Sequence, residues 1–123
     1  MITHMQRAVL VGVFDERHRA QEALHTLHEI GFAPRQLGYA MRCGELLQAT
    51  GALDGVDAPE HDLAGGLIAL GVPVPEARAL RMELERGRAV VTVQPQRLVQ
   101  AAERVLTLAG ALSVLTWAPR YLA

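Results

Sequence analysis

The chain has 123 residues and a mass of 13.4 kDa, enough for one hydrophobic core but not for two. Half of its residues are apolar and a fifth are charged, with 11 glycines and 6 prolines, which is the composition of a globular domain rather than a disordered tail. Its 12 basic and 13 acidic residues leave a net charge of -1, so it lacks the basic excess that grips nucleic acid. With 4% aromatic residues it also has few groups on which bases could stack.

A single cysteine, Cys43, can form neither an intrachain disulfide nor a Cys-rich zinc site. Residues Met1 to Arg7 do not read as a signal peptide. The greasiest stretch, Leu63 to Val74, is interrupted by Gly65, Gly66, Gly71 and Pro73 and falls short of the roughly 20 apolar residues of a membrane span. The expectation is a cytoplasmic chain with no membrane or nucleic-acid partner and no cofactor.

Ala8 to Phe14 (AVLVGVF) is short and Val-rich and predicts a buried strand. Asp15 stands where a helix N-cap belongs, and Ala20, Ala23, Leu24, Leu27 and Ile30 then fall on one helical face. Gly31 ends that helix, and Gln36 to Arg42 alternates like a second strand. A short helix is expected around Glu45 to Ala49, a loop over Thr50 to Pro59, and a small helix over Glu60 to Leu70. Another helix is expected over Pro75 to Arg86, with its proline in the first turn and a mixed-charge solvent face. Ala89 to Gln94 predicts a strand, Pro95 or Gln96 opens a helix carrying Leu98, Ala101, Ala102, Val105, Leu108 and Ala109, and Ala111 to Trp117 predicts the last strand.

The order strand, helix, glycine, strand thus occurs twice, with Ala23 over Ala102 and Gly31 over Gly110. Two such halves sharing one sheet give an α+β, ferredoxin-like βαβ…βαβ plan with a four-stranded antiparallel sheet. The first half is 8–42, a helical insert occupies 43–87, and the second half is 88–118. Right-handed crossovers place the two repeated helices on one face of the sheet. The strands are apolar on both sides, Val9, Val11 and Val13 against Ala8, Leu10 and Phe14, so the second face must be covered by the insert or by another subunit.

Two stretches, VGVFDERHRAQEALHTLHEIGF followed by QLGYAMR, and LIALGVPVPEARALRMELERGRAVVTVQ, together make up about half of the chain. They resemble the bacterial general stress protein 17M-like (heat-induced stress protein) domain family: a strand turning at an acidic residue into a helix, Gly-Phe, a strand ending in a basic residue, then a Leu-Gly-Val-Pro turn, a helix and a valine-rich strand. The segment between them, DLAGGLIALG, is shorter than the Ala/Gly-rich segment of such relatives. The resemblance implies a stress-linked protein without an assigned activity, and it carries over no catalytic residues.

The chain shows no nucleotide-binding glycine motif and no Cys-x-x-Cys at the first turn. His18, His25 and His28 share the solvent side of the first helix, and His25 and His28, with Glu22 or Glu29, are the candidate metal ligands, read otherwise as solvated surface residues. Cys43 follows Arg42, which favours a thiolate, but no resolving cysteine exists. Asp15 is read as a cap, and Glu16, Asp54, Asp57, Glu60 and Asp62 as solvated carboxylates. The function expected is non-enzymatic: a homodimer or other homo-oligomer, or a complex with an unidentified protein partner, formed through the second sheet face or an edge strand. Leu10, Tyr39, Leu115 and Trp117 are the candidate interface residues. The alternative is a small-ligand-sensing module of ferredoxin-like type, its ligand near Phe14 and Asp15 or beneath the insert.

Overall fold

A computed structural model describes residues 8–43, 46–53, 63–95 and 98–117. In chain order the elements are β1 (Val9–Phe14), α1 (Arg17–Glu29), β2 (Leu37–Cys43), β3 (Leu46–Gly51), α2 (Leu63–Leu70), α3 (Val74–Glu85), β4 (Ala89–Val93), α4 (Val99–Leu108) and β5 (Ser113–Trp117). The strands form one open antiparallel sheet in the order β3-β2-β4-β1-β5. The fold is α+β, as expected, but the sheet has five strands rather than four. The added strand is β3, where a short helix and the start of a loop were expected. Leu46 to Ala49 has good helix formers, yet pairing along β2, from Cys43↔Leu46 to Gly38↔Gly51, overrides that local preference. The rest of the expected loop, 54–59, the first residues of the expected 60–70 helix and Gln96 lie outside the described residues.

The first helix also starts later than Asp15 suggested. Its N-cap is Glu16, which makes no side-chain cap and whose carboxylate accepts from Arg19 Nε at 3.2 Å. At the other end Gly31 takes φ +118°, and Gly110 closes α4 with φ +101°, so the repeated glycine ends both helices in the left-handed region. The 3-10 turn Pro34–Gln36 leads into β2, and Gln36 ties it to β4 by accepting from the Gln94 N–H at 2.8 Å and donating from Nε2 to the Gln94 carbonyl at 3.2 Å.

Two cores flank the sheet. On one face α1 and α4 bring Ala20, Ala23, Leu27, Ala102 and Leu106 onto Leu10, Phe14, Tyr39, Val91 and Val93. Gly12 permits this close approach, since a Cβ there would lie 3.2 Å from both Leu106 Cδ2 and Phe14 Cε1. On the other face α2 and α3 bring Leu67, Ala77, Leu80 and Leu84 onto Val9, Val11, Val13, Ala40 and Val90. The insert therefore covers the centre of the second face, the first of the two coverings that the sequence allows. Each large side chain buried this way contributes about 1.5–3 kcal/mol.

One polar group interrupts the second core. Thr92 is fully buried, and its hydroxyl has no hydrogen-bond partner among the described residues. Its Oγ1 occupies the space that a Cβ on Gly38 would need. An unsatisfied buried hydroxyl costs about 1–3 kcal/mol, so Thr92→Val is expected to stabilise the fold by about 1 kcal/mol and to raise Tm by about 4 °C. A fall in Tm on a thermal scan would mean that the hydroxyl is bonded.

Candidate functional site

The helices cover the sheet unevenly. β5 pairs on one side with β1, from Val9↔Trp117 to Val13↔Ser113, and forms an edge of the sheet. Ser113, Leu115 and Trp117 share the α2/α3 face with Val13, Val11 and Val9, whereas Val114 and Thr116 share the α1/α4 face with Gly12 and Leu10. The second core takes in only Trp117 from this strand, and only in part. Leu115 stays 36% exposed, Leu112 just before the strand 51%, and Leu108 at the end of α4 79%. Exposed edges are commonly blunted by charge, proline or a bulge. The sequence SVLTW of β5 contains neither charge nor proline. The opposite edge differs, since β3 exposes Gln48 and Thr50.

A cleft flanks β5 on each face. Between α3 and β5 lies a pocket of about 140 Å³, with Val13 and Leu80 beneath it and Leu112, Ser113 and Leu115 along the strand side. Glu76, Glu83 and Arg88 supply its polar groups. Arg88 donates to Glu83, which also accepts from Arg86 at 3.5 Å, so the charge of Glu83 is matched by its neighbours. On the other face a shallower cleft of about 540 Å³ runs beside α4, past Glu103, Arg104, Thr107, Leu108 and Val114. There the Thr116 hydroxyl donates to Glu103 Oε2 at 2.9 Å, which ties the outer strand to α4.

The candidate residues fall in different places. Leu10 and Tyr39 lie in the core beneath α1 and α4, which withdraws both from any surface. Leu115 and Trp117 stand together on β5, one exposed and one half-buried. Phe14 is a fully buried core residue and Asp15 an exposed one, and neither borders the cleft beneath α3. His18, His25 and His28 are exposed on α1. His25 Nε2 lies 3.2 Å from Glu29 Oε2, and His18 Nε2 lies 3.4 Å from Glu16 Oε1. No group of three or more His, Cys, Asp or Glu among the described residues could hold a metal ion. Cys43 ends β2, while Asp54, Asp57, Glu60 and Asp62 lie outside the described residues. The mixed-charge face of α3 carries Arg81 Nε 3.7 Å from Glu85 Oε2. No helix among the described residues is long and apolar enough to cross a membrane.

Leu108, which the sequence places on the apolar face of the last helix, is instead exposed, and neither it nor Leu112 stands among the candidate interface residues. Their exposure depends on β5 being an edge, which only the strand order reveals. Comparisons with protein-family models, with curated proteins and with solved structures find no match for this chain.

Proposed function

We propose that this is a non-enzymatic association module, of the stress-linked bacterial type that its two signature stretches resemble, and that it self-associates through β5. One observation carries the reading: β5 is an uncharged sheet edge flanked by the exposed side chains of Leu108, Leu112 and Leu115. Of the two routes open to self-association, the second sheet face is occupied by α2 and α3, which leaves the edge. The order β2-β4-β1-β5, with α1 and α4 on one face, supports a ferredoxin-like plan extended by β3 and the insert. An edge strand offers a second copy main-chain hydrogen-bonding groups as well as apolar side chains.

The test is light scattering on the purified chain and on Leu115→Arg. The wild type is expected to run at a multiple of the 13.4 kDa chain mass and the variant at the chain mass, with an unchanged circular dichroism spectrum. A monomeric wild type, or a variant that keeps the wild-type mass, contradicts the reading.

The cleft beneath α3 favours a second reading, a small-ligand-sensing module, because it combines apolar walls with a few carboxylate and guanidinium groups. A rise in Tm with one class of metabolite would support that reading, and a flat response across classes would oppose it.

A further inference from the structure

We infer that the cleft between α3 and β5 binds a small amphipathic amine, with the ammonium group on Glu76 and the hydrocarbon part over Val13 and Leu80. This rests on the reading of that cleft as a ligand site and goes further by naming the chemical class of the ligand.

The order of polar and apolar groups along the cleft points to this class. Glu76, Leu80 and Glu83 stand at i, i+4 and i+7 on α3, so one stripe of the helix faces the cleft. Glu76 is at one end of it and Glu83, with Arg88, at the other, about 10 Å away along the helix axis. Between them the floor is apolar, formed by the buried side chains of Val13 and Leu80.

The two ends differ in how their charge is matched. Glu83 accepts from Arg88 at one carboxylate oxygen and from Arg86 at the other, so its charge is already answered. Glu76 is half-buried, and among the described residues no hydrogen bond or ion pair engages its carboxylate. The complementary ligand therefore carries one positive charge with hydrocarbon behind it. An anion would meet two carboxylates and would have to compete with Glu83 for Arg88. A wholly apolar molecule would cover Glu76 without giving it a partner, which is costly for a charged group.

Size narrows the class further. An apolar cavity of about 150 Å³ takes benzene, and this cleft holds about 140 Å³. A ligand of roughly six to eight heavy atoms fits that space. Nucleotide-sized ligands do not, since drug-sized pockets run from about 300 to 1,000 Å³.

Titration of the isotopically labelled protein with hexylamine, hexanol and hexanoate in turn, followed by NMR, tests the inference. Hexylamine is expected to shift the amides of Leu80 and Ser113. It is expected to bind about fivefold more tightly than either of the others, the upper end for an ion pair that stays partly solvated. Glu76→Gln is expected to remove that advantage with an unchanged circular dichroism spectrum. Glu85→Gln, on the same helix but outside the cleft, is expected to leave it intact. Hexanol or hexanoate shifting the same amides as tightly as hexylamine overturns the amine and leaves the cleft standing as a ligand site. An advantage that survives Glu76→Gln, or that Glu85→Gln removes equally, does the same. No shift at those amides with any of the three overturns both.

Discussion

Phe14→Ala is expected to lower the stability of the folded chain by about 3–5 kcal/mol, the range for emptying a buried aromatic site. Phe14 is among the largest fully buried side chains, and it ends the interior strand β1 inside the core formed with α1 and α4. Removing the ring leaves a cavity beside Leu106 and Gly12, and Gly12 has no side chain to fill it. A domain of this size has about 5–15 kcal/mol in total, so the variant should keep its fold only narrowly. Urea unfolding monitored by circular dichroism checks this, with the midpoint falling sharply and the slope unchanged. A loss below about 1 kcal/mol would mean that Phe14 is not wedged beneath the two helices. The same result would undo the assignment of that face as closed.

Gly51→Ala is the second large effect, and it reports on the other edge. Gly51 ends β3 with φ +65°, and a Cβ there would overlap the backbone carbonyl oxygen of Leu37. That carbonyl accepts the Ala52 N–H at 2.7 Å, so the overlap falls on the bond that closes the β2–β3 pairing. Backbone cannot swing aside as a side-chain tip can. The left-handed conformation and the overlap together should cost about 2–4 kcal/mol. The loss is expected to appear as faster amide exchange through β3, with β1 and β4 less affected. Uniform acceleration across the sheet would contradict a local role for this glycine.

The sequence was most legible where one local signal decided the structure. The continuous apolar run of β1 reads as a strand covered on both sides, and every residue of it is buried. The helical period of α1 and α4, each closed by a glycine, placed Ala23, Leu27 and Ala102 in the core, but in α4 it also placed Leu98 and Leu108 there, which are exposed. β3 was illegible because Leu46 to Ala49 has the composition of a helix and becomes a strand through its partner β2. Asp15 misled for a smaller reason, since its position one residue before Glu16 makes it as plausible a cap in the sequence as the residue that takes the role.

The candidate interface divides in the same way. Leu10, Tyr39, Leu115 and Trp117 look alike as apolar strand residues. What separates them is the lateral order of strands, which puts β1 and β2 inside the sheet and β5 at its edge. Strand order is set by long-range pairing, and no window of sequence contains it. The clefts beside β5 are illegible for that reason too, as each joins a helix to a strand through the packing of the whole sheet.

Association through β5 is tested most directly by hydrogen–deuterium exchange of Ser113–Trp117 across a range of protein concentrations. If a second copy pairs with this edge, protection there rises with concentration, while the amides between β1 and β4 exchange at one rate throughout. Exchange in β5 that is fast and independent of concentration, or protection that grows at β3 instead, would contradict the account.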